Sequence, residues 1–243
     1  MRPFSSLVAA LCLIAAPLAR GAALPAASDP YQPLGIVQTV APLYPLQESQ
    51  LAYGTVQVRI AVDASGQLTD SLVVASTRQW FSDSAITALK QWKFVPARRD
   101  GVAVAATTEL IFNFERRGLL VVSESSGEAV VRVMREMDPG YRTYGLKELD
   151  APPAAMHVAK PVLTEDMKSR AIAGTVVVNF YIDETGRVRM PMVSNDALSE
   201  LAALVLETVR QWRFQPPTYG GRPVLTRVSQ TFHFHPDMAR AGM

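Results

Sequence analysis

The chain has 243 residues, 49% of them hydrophobic, with 24 lysines and arginines against 22 aspartates and glutamates. That length accommodates two modest domains, and the composition is that of an ordinary globular protein, which excludes a disordered or low-complexity chain beyond a short Ala/Pro-rich start. The near balance of charge gives no electrostatic case for nucleic acid or anionic lipid as a partner.

The first 27 residues read as an address rather than as fold. Arg2 supplies a short positive region, the apolar run Leu7–Leu18 follows, and small residues after it predict cleavage at Gly21, Ala23 or Ala27. The run is shorter than the ~20 residues of a membrane span and is interrupted by Pro17 and Arg20. The expectation is export to a bacterial periplasm, with an uncleaved inner-membrane anchor facing the periplasm as the alternative. Cleavage after Ala23 removes Arg2 and Arg20 and no acid, so basic and acidic side chains become equal in number. The only cysteine, Cys12, leaves with the signal, which excludes a disulfide framework, thiol catalysis and cysteine-ligated metal in the mature chain.

The next patterned stretch is "GTVQVRIAVDASG" (Gly54–Gly66). Val56, Val58, Ile60 and Val62 alternate with Gln57, Arg59 and Ala61, the period-two signature of a half-buried strand. Asp63 suits an Asx cap in the turn that follows and Gly66 its positive-φ position, and "LTDSLVVAS" reads as the second strand of a hairpin. The period then changes. Ala85, Ile86, Ala88, Leu89 and Trp92 fall on one helical face, with Ser82 or Asp83 expected as N-cap and Phe94–Pro96 as the stop. A loop through Gly101 leads to a closing strand, "TTELIFNFE".

Residues 118–157 have no internal counterpart. "GEAVVRVMREMDPG" places Val130, Val133, Met134 and Met137 at helical spacing, although a further hairpin from "LLVV" is also open, and "ELDAPPAAM" reads as an extended, proline-stiffened lead. The first unit then recurs at an offset of 120. "GTVVVNFYIDETG" (Gly174–Gly186) matches Gly54–Gly66, "QWRFQP" matches "QWKFVP", Gly221 matches Gly101, and "TFHF" matches "IFNF". Val176, Val178, Phe180 and Ile182 alternate as before, Asp183 and Gly186 make the turn, "VRMPMVS" is the second strand, and Val205, Leu206, Val209 and Trp212 mark the helix. The fold class is therefore α+β: two tandem ββαβ units, each a three-stranded antiparallel sheet packed on one helix. Trp92, Phe94, Trp212 and Phe214 are expected in the cores.

The order of motifs resembles the C-terminal domain of TonB family proteins, the energy transducers of Gram-negative envelopes. It comprises a Pro-x-Tyr-Pro lead (Pro42, Tyr44, Pro45), a Gly-x-Val-x-Val strand, an Asp-x-x-Gly turn, a Trp-x-Phe-x-Pro exit and a Phe-x-Phe closing strand. The second unit departs at its lead, where Pro161–Thr164 lacks the tyrosine and second proline. The resemblance implies a domain that binds a short extended segment of an outer-membrane transporter alongside its last strand, by β-augmentation. Carried onto this sequence, the partner-binding edges are Thr108, Glu109, Leu110, Ile111, Phe112, Asn113 and Phe114 in the first unit, and Ser229, Gln230, Thr231, Phe232, His233 and Phe234 in the second. Whether these edges are free, or blocked by each other or by a second chain, stays open. The short stretch ahead of the first unit is no long Pro-rich spacer, which argues against force transduction by this chain alone.

No nucleophile elbow, His-Glu-x-x-His or phosphate loop is present. Asp63 and Asp183 are explained by turn chemistry. His233 and His235 share one strand face with Asp237 nearby, and read as an exposed surface rather than a metal site. No enzyme, metal, cofactor or small-molecule substrate is expected. The division is residues 1–27 signal, 28–117 first domain, 118–157 connection, 158–236 second domain and 237–243 tail. The expected function is supporting TonB-dependent transmembrane transport by binding extended peptides of outer-membrane transporters or other envelope proteins. The alternative is an envelope scaffold whose domains self-pair edge to edge.

Overall fold

The computed structural model describes residues 31–44, 53–115, 121–124 and 140–235. The signal, the helix expected around Val130–Met137 and Asp237 lie outside them.

The first unit runs β1 (Gly35–Gln38), β2 (Tyr53–Val62), β3 (Leu68–Ser76), α1 (Gln79–Leu89), β4 (Lys93–Val95) and β5 (Ala106–Glu115). The connection contributes β6 (Val121–Glu124), β7 (Tyr141–Arg142) and β8 (Tyr144–Gly145). The second unit has β9 (Ala155–His157), the short helix α2 (Glu165–Ser169), β10 (Gly174–Ile182), β11 (Val188–Val193), α3 (Ser199–Arg210), β12 (Arg213–Phe214) and β13 (Thr226–Phe234).

The two ββαβ units are present as the repeat predicts, but their sheets are wider than three strands. The orders are β7-β3-β2-β5-β6 and β8-β13-β10-β11, so the connection supplies every added strand. Strand β6 supports the hairpin reading of "LLVV".

Alternation decides the layers. Val56, Val58, Ile60 and Val62 turn to α1 and bury with Phe81, Ala85 and Leu89, while Val176, Val178, Phe180 and Ile182 bury with Leu201, Val205 and Val209 of α3. The opposite faces meet each other. Leu72 and Val74 pack with Tyr181, Met190 and Leu225, giving helix, sheet, sheet, helix. Polar contacts cross the same interface: Arg189 forms an ion pair with Asp70, and Arg59 Nη1 donates to the Tyr181 hydroxyl at 3.0 Å.

The helix limits differ from the sequence reading. Helix α1 begins at Gln79 after Arg78, which makes no side-chain cap, so neither Ser82 nor Asp83 caps it. The reason is Phe81, fully buried with its ring 4.4 Å from that of Phe114, which recruits an extra turn. A Cβ on Gly54 would fall 1.9 Å from the Phe81 ring, so glycine is what lets that ring lie on the strand. The helix also stops at Leu89, before Trp92, in a tightened turn in which the Trp92 N–H donates to the Leu89 carbonyl.

The repeated hexapeptide acquires its meaning here. Trp92 and Trp212 are buried and each indole N–H donates to a lead carbonyl, Val40 at 2.9 Å and Ala159 at 2.8 Å. Phe94 is buried in β4, which pairs with β1, and the half-buried Phe214 lies in β12, which pairs with β9. The Asp-x-x-Gly turn packs beneath. At Gly186 (φ +81°) the carbonyl accepts from the Phe214 N–H at 2.9 Å. The indole bonds also fix the register of the leads at 119 rather than 120, which sets Leu163, buried in the second core, where Tyr44 packs in the first.

Candidate functional site

An exposed strand edge presents alternate main-chain N–H and C=O groups to whatever lies beside it. In β10, the Val177 carbonyl accepts from Ser194 N–H at 2.9 Å, and the Val177 N–H donates to Asn195 Oδ1 at 2.8 Å. The odd residues of β10 therefore turn away from β13, and the even ones turn toward it. With Val176 opposite Phe232 and Val178 opposite Gln230, the main chains of Ser229, Thr231 and His233 point outward. The same parity holds in the first unit. Thr55 exchanges hydrogen bonds with Thr77, so with Thr55 opposite Asn113 and Gln57 opposite Ile111, Ile111 and Asn113 point outward from β5.

The two edges have different neighbours. On β5, Ile111 pairs with Ser123 and Asn113 with Val121, so the middle of the predicted edge Thr108–Phe114 is occupied by β6. That edge is not free, because the chain after β5 folds back as a hairpin. Its side chains are committed as well: Leu110, Ile111, Phe112 and Phe114 are buried, and Thr108 and Asn113 are half-buried. Glu109 accepts from Gln57 between the sheets, where burial pushes its carboxyl up against the opposing pull of Arg59 and Arg227.

On β13, β8 pairs only with Thr226 and Arg227. Among the described residues no strand lies on the side of Ser229–Phe234 that faces away from β10. Ser229, Gln230, Thr231 and His233 are exposed, Phe232 is half-buried and Phe234 buried. The outward Thr231 carbonyl accepts at 3.0 Å from the Gln230 side chain. The two closing strands do not pair with each other.

The edges of β3 and β11 carry blocks. Strand β3 is covered at Ala75 and Ser76 by β7, and Arg189 donates to the Ser71 carbonyl at 3.3 Å. Strand β11 contains Pro191, which has no N–H, next to an irregularity at Met190 (φ +48°). Proline and bulges are the usual means by which an edge is kept from pairing. Strand β13 has neither.

Beside this open edge lies a groove of about 680 Å³ whose apolar walls are Val158, Val162, Leu163, Trp212, Phe232 and Phe234. Val162 is 70% exposed. Lys160, Lys168 and His233 also line the groove, and among the described residues no carboxylate does. The lead Pro161–Leu163 that forms one wall is the part of the repeat where the sequence match is weakest. The duplicated tryptophan was the available signal, since two indoles in one register need two lead carbonyls.

The acids singled out as a conceivable pair are turn caps. Asp63 Oδ1 accepts from Ser65 N–H at 2.8 Å and Gln67 N–H at 3.0 Å, which with the Ser65 hydroxyl holds its carboxyl below the usual range. Asp183 Oδ1 accepts from Thr185 and Arg187 N–H groups, both at 3.0 Å. The rings of His233 and His235 stand 6.5 Å apart, and His233 Nδ1 is 3.2 Å from the Thr175 hydroxyl. Among the described residues no group of three or more His, Cys, Asp or Glu side chains could hold a metal, and no helix is long and apolar enough to cross a membrane.

Known proteins supply the context for this geometry. The sequence is 35% identical over 89 residues to Protein TonB of Vibrio cholerae serotype O1 (strain ATCC 39315 / El Tor Inaba N16961), a match covering 36% of each chain. The chain thus spans about a third of that curated relative's length. A solution NMR structure of the Pseudomonas aeruginosa TonB C-terminal domain is similar at 27% identity over 37% of this chain and 91% of that one, with a TM-score of 0.32. The family described as Gram-negative bacterial TonB protein C-terminal matches twice, at residues 40–115 and 159–236. Those two matches take in more than half of the chain and coincide with the two repeats, and the chain belongs to that family.

Proposed function

We propose that this protein is a non-catalytic periplasmic binding module that supports TonB-dependent transmembrane transport. It takes up an extended segment of an outer-membrane transporter, or of another envelope protein, as an added strand. The docking edge is Ser229–Phe234 of the second unit. Membership of the family supports the transport setting in general. The observation that carries the assignment is the unblocked run of β13, whose outward main-chain groups at Ser229, Thr231 and His233 adjoin an apolar groove. Main-chain pairing gives such a site its affinity, and pockets for alternate side chains give it selectivity.

The test is titration of the full exported chain with a panel of synthetic peptides from the periplasm-facing ends of outer-membrane transporters. The Thr231→Pro variant removes the central outward N–H while leaving the pairing with β10 intact, and binding is expected to fall at least about tenfold, the order expected when a main-chain hydrogen bond is lost and a steric clash is added. Unchanged binding of a peptide by Thr231→Pro overturns the assignment. Edge-to-edge pairing of β13 with β13 of a second chain uses the same surface. A chain that sediments as a dimer and becomes a monomer in Thr231→Pro, with no peptide bound, favours that scaffold reading instead.

A further inference from the structure

The free edge of the second unit has a counterpart in the first that is already filled. The offset of 120 maps Ile111 onto Thr231 and Asn113 onto His233, and both pairs have outward main chains by the same parity. In the first unit these outward groups meet Ser123 and Val121 of β6. We infer that Val121–Glu124 is a resident strand: it occupies, within the same chain, the first unit's equivalent of the docking edge, so the first unit is a self-occupied copy with a latent second edge.

Geometry makes the occupation persistent. Strand β5 ends at Glu115 and β6 begins at Val121, so the resident is tethered through few residues of chain. A short tether holds its strand at an effective concentration on the order of millimolar, which a free peptide at micromolar concentration does not overcome. The same connection that supplies β6 also supplies β7 on the opposite edge of the first sheet, and β8 at the foot of β13. It therefore pairs with the closing strand of the first unit over Leu110–Asn113, but with that of the second only at Thr226 and Arg227, which leaves Ser229–Phe234 open. One docking site per chain follows, although the fold is duplicated. The docking half of this inference rests on the function proposed above. The occupation itself rests on strand pairing alone.

Hydrogen exchange resolved by residue, on the full chain, separates the two halves. In the unaltered protein the amides of Ile111 and Asn113 are expected to be protected, whereas those of Thr231 and His233 exchange fast. Ser123→Pro removes the donor that faces Ile111. It should speed exchange at Ile111 and Asn113 at least tenfold, leave Val56 and Val58 protected by their pairing with β5, and raise peptide stoichiometry from one to two per chain. A second variant, Val121→Gly, Val122→Ser, Ser123→Gly and Glu124→Ser together, weakens the strand without proline and should act the same way. Fast exchange at Ile111 and Asn113 in the unaltered chain overturns the resident strand. Exposed amides with a stoichiometry that stays at one overturn the latent edge. If no peptide binds the unaltered chain, the docking reading and the latent edge fail together, while the exchange contrast still decides the occupation.

Discussion

The two units share their motifs in one register, yet their closing strands meet different neighbours. Strand β5 is enclosed, with β2 on one side, β6 on the other, and no exposed side chain from Thr108 to Phe114. Strand β13 has β10 on one side and, beyond Arg227, no described strand on the other, with four of the six side chains from Ser229 to Phe234 exposed. Identical construction does not give identical edges, because an edge belongs to whatever chain passes beside it. Here one connection decides which copy is closed.

Proline substitution at equivalent positions should separate the copies most sharply. Ile111 is buried and its N–H faces β6, so Ile111→Pro removes a ladder bond and a core side chain together. The expected loss is about 3 kcal/mol or more in urea unfolding. Thr231→Pro, at the matching place, removes an N–H that faces solvent and a side chain that is exposed. Its unfolding midpoint should stay near that of the unaltered chain. Equal losses at both positions would mean that the edges are equivalent after all.

The turn glycines offer a second contrast. Both lie at positive φ, +86° at Gly66 and +81° at Gly186, where a Cβ costs about 1–2 kcal/mol. The space around them differs. A Cβ would stand 2.7 Å from the Phe94 carbonyl oxygen at Gly66, but 1.9 Å from that of Phe214 at Gly186. Gly186→Ala should therefore destabilise more than Gly66→Ala, by thermal melting of the two variants side by side.

How much of this was legible follows from which contacts are local. Alternation in Val56–Val62, the Asx turns and the helical spacing of Val205, Val209 and Trp212 are short-range patterns, and each gave its element. Helix α1 was misjudged at both ends because Phe81 and Trp92 are placed by a strand glycine and a lead carbonyl, residues Gly54 and Val40, which lie outside the helix. The closure of β5 was beyond reach for a related reason. Pairing with β6 depends on where the connection returns, and "LLVV" fits a hairpin no better than a helix end. At the candidate site, Phe232 and Phe234 were identifiable from the repeat. The groove wall Val158–Leu163 was not, since the register shift from 120 to 119 appears only once each indole has found its carbonyl.

The interface between the copies predicts a smaller effect. Asp70 and Arg189 form a bidentate pair between the sheets, each about one-third exposed or less. Breaking it with Asp70→Asn should cost about 1–2 kcal/mol, the range of hydrogen bonds to charged groups at partial exposure. The informative readout is cooperativity: one calorimetric transition for the unaltered chain, and separation toward two in the variant, if the pair helps the units unfold together.

The smallest effect concerns the Asp63 turn, and acid isolates it. The Ser65 hydroxyl and the Gln67 and Ser65 N–H groups all donate to the ionised carboxylate, which holds its pKa below that of an unfolded aspartate. The folded state thus binds this proton later than the unfolded state does. The stabilisation is fully present above the unfolded aspartate pKa and is lost as pH falls through the folded value. Asp63→Asn keeps an acceptor oxygen but has no proton to take up. Its melting temperature should lie slightly below that of the unaltered chain near neutral pH, and the gap should narrow as the pH drops into the carboxylate range. A gap that widens in acid would mean that Asp63 is protonated more readily in the folded chain, against the three donors that surround it.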